Sequence, residues 1–492
     1  MTQKIKKVML VIPPNTLPAD SVARIAEPLS VLYLVKPLQD AGYEVNIFDT
    51  TCEGYKTSVV KNGYLTYGSS EEEIRKRVLD FSPDVVGVNC MFTGREHNAL
   101  SVCRLIKNIN RQIIVVMGGL QPTLFPQRML ESGQVDYVVM NEGEFRFPRL
   151  LNAVNNGSDL SGLDGIAFKN GQVVKVNPPD GWIKDLDSIP FPDRDAVNME
   201  DYFKIGRPYA PFSAERNTAQ ILCTRGCFNR CNFCSTVYYW GRKVRYRSVG
   251  NIIAEMKLLI DKYAVKEVQI IDDNLTADKN LAKELFRQMK GLGLKWCTPH
   301  GLMFNTLDEE MIKLMAESGA YQLTFAIESG SERVLREIIH KKVDLDKVKG
   351  LVEEAHKYDI SVHGMLLTGF PGEKKEEIRQ SVEFPFSAGF DSASLFIVNP
   401  LPGSELYQEC VNKNYLVNDF NTMDFKSANI RIPKDSPDYA MDPEELVRLV
   451  DDKTREFNAW AKNKYPGRWK RKFSRYLELH PEEKEKIIGR VT

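Results

Sequence analysis

Apolar positions fall into two periods along the chain. Over residues 1–150, short runs rich in Val, Ile and Leu recur at 7–12, 44–48, 84–89, 113–117 and 137–140. Each has the length and composition of a strand. Between them, as at 28–42 and 70–81, apolar residues take helical spacing. Alternating strands and helices predict repeated βα units, hence an open, doubly wound parallel sheet with ligands beyond the carboxyl ends of its strands. Those ends carry Pro13-Pro14-Asn15, Asp49-Thr50-Thr51, Thr93-Gly94, Gly118-Gly119 and Glu142-Gly143-Glu144. The same residue types also make plain tight turns.

Residues 151–210 read as a linker. Two short apolar runs at 166–168 and 173–176 flank Asn170-Gly171, a dipeptide suited to a type I′ hairpin turn. A Pro-rich stretch, Ile189-Pro190-Phe191-Pro192, follows. Over 211–405 a second βα series runs, with strands expected at 219–223, 267–271, 294–297, 322–326, 361–366 and 394–398. Six units predict a partial (β/α)6 barrel, an open form of the eightfold barrel, whose ligand sites lie at the carboxyl ends of the strands. Residues 406–492 form a helical C-terminal region expected to close the substrate cavity. An amphipathic helix is expected at 442–464, and 462–476 is basic and aromatic. That last segment reads as a solvated helix face or as a docking surface for an acidic partner.

Composition narrows the class. A chain of 492 residues exceeds one ordinary core, so two or three domains are expected. With 66 Lys plus Arg against 66 Asp plus Glu, no global field draws in nucleic acid or anionic lipid. No apolar run reaches the roughly 18 residues of a membrane span. The apolar run after Lys4, Lys6 and Lys7 stops at Pro13-Pro14, short of an export signal, so the expected location is cytoplasmic. The nine cysteines are an odd number, and four of them crowd between 223 and 234. In a reducing compartment that clustering points to metal.

The crowded segment is Cys223-Thr-Arg-Gly-Cys227-Phe-Asn-Arg-Cys231-Asn-Phe-Cys234. Three thiolates at these spacings wrap one face of an iron–sulfur cube and leave one iron open. A tetrahedral zinc site remains an alternative, as does a register that uses Cys223. The segment resembles the signature of the radical S-adenosylmethionine (SAM) superfamily, C-x3-C-x2-C with an aromatic residue, here Phe233, before the last cysteine. The resemblance implies a [4Fe–4S] cluster on Cys227, Cys231 and Cys234, with SAM on the open iron. It also favours Cys223 as the buried end of a strand.

Further motifs extend the resemblance over residues 215–410. They are Ile271-Asp272-Asp273-Asn274, Ala326-Ile327-Glu328-Ser329-Gly330, Gly369-Phe370-Pro371-Gly372-Glu373 and Pro400-Leu401-Pro402-Gly403. Phe233, Asp272, Asn274, Glu328 and Ser329 are the implied SAM contacts. Residues 1–150 resemble the Rossmann-like cobalamin-binding domain fused to many such enzymes. They share Glu27-Pro28-Leu29-Ser30, Asp49 after the second strand, Pro83-Asp84-Val85-Val86-Gly87, Gly118-Gly119 and Glu142-Gly143-Glu144. Asp187 to Arg194 resembles that family's linker. The implied cobalamin contacts are Pro14, Asn15, Thr50, Met91, Thr93, Gly118, Gly119, Gln121 and Glu142. No Asp-x-His-x-x-G is present, so no lower axial histidine is expected, and His97 reads as a helix-surface residue. The family often has His where Gln121 stands.

The family's chemistry implies reductive cleavage of SAM, hydrogen abstraction by a 5′-deoxyadenosyl radical, and methyl transfer from methylcobalamin to the substrate carbon. The electrons would come from a flavodoxin or ferredoxin. Within the same architecture, a cyclase or rearrangement enzyme is the alternative. A methylthiotransferase is a further reading, with Cys52 and Cys90 near strand ends, and a non-catalytic iron–sulfur or cobalamin carrier is the last. Tyr238, Tyr239, Trp240 and Arg242 either face the substrate cavity or pack the helix after the cysteine loop. The substrate itself is not legible: a small molecule and a peptide or protein side chain are both open.

Overall fold

The strand Lys7–Ile12 is apolar from Val8 onward, and Val8 to Val11 are at most 1% exposed. A strand buried on both faces belongs in the interior of a parallel sheet. It lies next to one edge strand of a seven-stranded sheet. The order is Val173–Val176, Ile166–Asn170, Tyr137–Val139, Ile114–Gly118, Val85–Asn89, Lys7–Ile12, Glu44–Asp49. The computed structural model describes residues 4–19, 21–210, 212–417 and 428–481. Parts of the expected 406–492 region, namely 418–427 and 482–492, therefore lie outside the described residues. Two compact units emerge: one comprises residues up to 202 with 235–241, the other 203–234 and 242 onward.

In the first unit, the five strands that the apolar runs announced are all parallel. The chain moves outward from Lys7–Ile12 to Glu44–Asp49, then returns to the other side for Val85–Asn89. The switch point of this doubly wound sheet is thus the crevice between Lys7–Ile12 and Val85–Asn89. The hairpin Ile166–Asn170/Val173–Val176 forms around Asn170-Gly171, but it is not free chain. It adds two antiparallel strands to the sheet edge at Tyr137–Val139. A small antiparallel sheet of Asn15–Pro18, Tyr64–Tyr67 and Ser58–Lys61 has no counterpart in the sequence reading. Its outer strand exposes both Val59 and Val60 at 64%, so no buried face produced an alternation to read.

The second unit is a six-stranded parallel sheet in chain order: Thr218–Ile221, Glu267–Ile270, Lys295–Cys297, Ala320–Glu328, Ser361–Thr368, Ser392–Ile397. This is the expected partial barrel. Along Ser361–Thr368, every second residue is buried and packs against the surrounding helices. At Gly364 a Cβ would come within 2.3 Å of the Phe390 ring, so only glycine admits that ring.

The basic-aromatic segment keeps a solvated face, with Lys470, Arg471 and Ser474 exposed, but its other side packs against the protein. It forms the helix Pro466–Leu479, which covers the amino ends of the strands. Arg468 donates to the carbonyls of His356 and Ile360, and Arg475 to that of Ala214. The Phe212 ring lies tilted 5.2 Å from that of Phe473 and edge-on 5.3 Å from that of Tyr476. This end of the sheet is opposite the strand ends that carry the cysteine loop, so this helix does not close the substrate cavity. Its Lys472 donates to Ser392 at 3.2 Å. Loss of water around the ammonium pulls its pKa down to about 8, against the pull of Asp391 and Cys297.

A lysine with a depressed folded pKa keeps its proton longer in the unfolded chain, whose lysines titrate near 10.4, so stability rises with pH between about 8 and 10.4. Native protein minus Lys472→Met, compared by urea unfolding across that window, should gain up to about 1.4 kcal/mol per pH unit. A difference that stays flat would show that Lys472 is hydrated.

Candidate functional site

The cysteine loop starts from a buried anchor. After Thr218–Ile221 the chain places Cys223, 1% exposed, so that its N–H donates to Asp272 Oδ1 at 2.7 Å. Thr224–Arg225 then pairs with Arg245–Tyr246, and Gly226 turns at φ +106°. The loop that follows carries Cys227, Cys231 and Cys234, all half-buried free thiols. It is stapled at Asn232, whose N–H donates to Ile339 O at 3.0 Å and whose carbonyl accepts from Leu406 N at 2.9 Å. Phe233 packs 6.0 Å from the Phe370 ring, in a cluster with Leu335 and Val398.

Around the thiols stand polar groups with spare capacity. Asn229 Nδ2 lies 3.5 Å and Asn274 Nδ2 3.8 Å from Cys227 Sγ. Asn274 is fully buried, yet its Oδ1 has no hydrogen-bond partner, and neither has Asn232 Oδ1. Orphaned buried amide oxygens signal a group still to be bound. Burial pushes the Cys231 thiol up to about 12 and raises that of Cys227, and a bound cation would favour their thiolate forms. Among the described residues, no three His, Cys, Asp or Glu side chains gather tightly enough for a single metal ion. The donor set and the orphaned oxygens fit a three-thiolate cluster with a small chelating ligand.

Beside them sits an ion pair. Lys341 Nζ donates to Glu328 Oε1 at 2.8 Å and to Ala326 O at 2.6 Å, with side chains 4% and 12% exposed. Burial pulls the lysine pKa down, but Glu328 and the Cys231 and Cys227 thiols outweigh it and hold the value above an ordinary lysine's. Glu328 adopts φ +75°, a conformation rare for a side-chain-bearing residue and concentrated at functional sites. The Ser329 hydroxyl is engaged elsewhere, 2.9 Å from Ser381 Oγ. Asp272 and Asp273 are both raised to about 7, by burial above all.

In the first unit, Pro14 and Asn15 follow one strand of the switch point, and Met91 and Thr93 follow the other. Asn15 Nδ2 donates to Tyr67 OH, and Thr50 Oγ1 to Ile12 O at 2.7 Å. Thr93 Oγ1 donates to Gln121 Oε1 at 2.8 Å, and Gln121 Nε2 donates to Glu96. Gln121 thus ties two loops together, and His97 is exposed on the helix Glu96–Ile109. At Gly119, φ +115°, a Cβ would lie 2.5 Å from Cys90 O. Gly118 is adjacent, and Glu142 accepts from Ile183 N–H at 2.7 Å.

Past these loops opens a cavity of about 480 Å³ lined by Thr123, Leu124, Met140, Asn141, Trp182 and Tyr238, among others. Asn141 Nδ2 and Trp182 Nε1 both donate to Tyr239 O, which fixes its wall. None of the expected cobalamin contacts lines this cavity; they stand on the strand-end loops themselves. Tyr238, Tyr239 and Trp240 belong to this unit, while Arg242 donates to Asn229 O at 3.1 Å in the other.

Sequence reasoning missed Lys341, Asn229, Asn141 and Trp182. Lys341 stands in the run His340-Lys341-Lys342, which looks like exposed charge. The Asn residues carry no pattern of their own.

The ion pair makes a prediction. Lys341→Met leaves Glu328 as a buried lone charge and should cost about 3 kcal/mol in urea unfolding, most of it recovered in Lys341→Met/Glu328→Gln. Additive losses in the double variant would contradict the pairing.

Comparison with known proteins agrees with the geometry. Residues 221–384 match the Radical SAM superfamily and residues 16–151 the B12 binding domain. The chain is 35% identical to the cytidylyl-2-hydroxyethylphosphonate methyltransferase of Streptomyces wedmorensis, covering 93% of this chain and 91% of that one. It is 31% identical to an uncharacterized methyltransferase of Pyrococcus horikoshii, covering 84% and 85%. Among solved structures, the radical SAM methyltransferase TsrM from Kitasatospora setae, with cobalamin and a [4Fe–4S] cluster bound, superposes with a TM-score of 0.68 at 19% identity, covering 84% of this chain and 79% of that one.

Proposed function

Because this chain belongs to the radical SAM superfamily, in the branch with a B12-binding domain, we propose that it is a cobalamin-dependent radical methyltransferase acting on an unactivated carbon of a small molecule. The observation that carries the reading is the loop of three free thiols at the strand ends of the second unit, with Asn274 and the Lys341–Glu328 pair beside it. When bound, the cluster and SAM supply a hydrogen-abstracting radical and cobalamin supplies the methyl group.

The residues then divide the work. Cys227, Cys231 and Cys234 hold the iron. Asn274 and Glu328 present polar atoms to SAM, and Phe233 packs along it. Asp272 holds the start of the loop through Cys223, and Ser329 shapes the turn through Ser381. On the first unit, Pro14, Asn15, Met91, Thr93, Gly118 and Gly119 form the floor beneath cobalamin. Thr50, Gln121 and Glu142 brace that floor through their own hydrogen bonds. Electrons come from a flavodoxin- or ferredoxin-type donor. Among the described residues, no helix is long and apolar enough to cross a membrane.

The relative from Streptomyces wedmorensis makes a cytidylylated hydroxyethylphosphonate the first substrate to test. With that compound, SAM and a reductant, the reconstituted enzyme should form S-adenosylhomocysteine and 5′-deoxyadenosine, each in step with methylated product. A substrate consumed without S-adenosylhomocysteine would replace methyl transfer with cyclisation or rearrangement.

A further inference from the structure

One histidine at the strand ends of the second unit has no place in the account so far. His300 follows the strand Lys295–Cys297 and sits just before Gly301, whose φ of +102° turns the loop back against Ala326. Its Nδ1 lies 3.0 Å from Ile271 O. A carbonyl oxygen only accepts, so Nδ1 carries a proton, and in the neutral ring Nε2 is a bare acceptor. By contrast, both ring nitrogens of His363 are engaged by Ser392 and Ser394.

The chain on both sides of this contact carries groups that face the cysteine loop. Ile271 directly precedes Asp272, Asp273 and Asn274, and Asn274 faces Cys227. Met303, three residues beyond His300, takes a hydrogen bond from Asn229 at 3.3 Å, and Asn229 also faces Cys227. Solvent reaches the His300 ring, and the half-exposed Tyr209 ring stands 5.5 Å away, tilted by 59°. Nε2 has no hydrogen-bond partner among the described residues. The protein packed around the rest of the ring pushes its pKa below the ordinary imidazole value, outweighing the Ile271 bond. The ring is therefore neutral near pH 7.

A neutral acceptor repels phosphate and carboxylate oxygens and attracts a hydroxyl hydrogen. We propose that His300 Nε2 accepts a hydrogen bond from a hydroxyl of the small-molecule substrate and thereby helps fix the carbon to be methylated. The inference rests on the functional reading above and adds to it which end of the substrate faces the third strand. The anionic end must be held elsewhere.

Two probes test it: the cytidylylated 2-hydroxyethylphosphonate and the cytidylylated ethylphosphonate that lacks the hydroxyl. Binding is measured by calorimetry on the reconstituted, SAM-loaded full chain without oxygen. Native protein should prefer the hydroxyl compound by about tenfold, the size of one net hydrogen bond. His300→Asn, whose amide can still donate to Ile271 O but offers nothing at Nε2, should lose that preference. His300→Ala should lose it equally, and neither should alter affinity for the deoxy compound by more than about twofold. A preference retained in both variants, or absent from the native protein, overturns the inference while leaving the methyltransferase reading intact. Native protein that binds neither probe overturns the substrate reading, and the inference with it.

Discussion

The hydrogen bond from Cys223 N to Asp272 Oδ1 ties the ends of the first two barrel strands together inside the protein, and the rest of the candidate site depends on it. A loop that must present three thiols cannot drift, because its ligands have to meet a preformed geometry. The parallel sheet sends every strand's carboxyl end to the same side, so the neighbouring ends supply Asn274, His300, Glu328 and Lys341 without long connections. Burial makes these groups costly to leave unmatched. That cost explains why Lys341 is paired with Glu328 and why the buried free atom, Asn274 Oδ1, points to a ligand.

The first unit solves a different problem with the same sheet logic. Its strand-end loops are closed with their own hydrogen bonds: Thr93 to Gln121, Gln121 to Glu96, and Thr50 to Ile12. Such loops offer a shaped floor rather than ligands. Gln121 stands where the resembled family often has histidine, and here it acts as a brace between loops. The absence of an axial-histidine motif is consistent with that design.

Much of this was legible in the residues. The apolar runs located the strands of both parallel sheets because most of those strands are buried on at least one face, and burial is what periodicity records. The cysteine spacing pointed to the cluster loop because three thiolates on one cube allow few spacings. What stayed hidden had no periodic signature. The strand Ser58–Lys61 is fully exposed, so nothing in it alternates. Lys341 and Lys472 read as surface charge, yet one is buried against Glu328 and the other lies desolvated beneath the barrel. The partners of these two lysines lie beyond local helical spacing, 13 residues away for Lys341 and 80 for Lys472. The packed side of the basic-aromatic helix stayed hidden for a like reason: Arg468 and Arg475 find backbone carbonyls that no local pattern announces.

The central claim is that three cysteines hold iron in one unit while the other unit holds cobalamin. The most direct measurement is the iron and cobalt content of the chain, purified without oxygen from cobalamin-supplied cells and reconstituted, beside the variant with Cys227, Cys231 and Cys234 all changed to alanine. The account predicts about four irons and one cobalt in the native chain, with iron lost and cobalt kept in the variant. Iron that survives loss of the three cysteines, or zinc in its place, would contradict it.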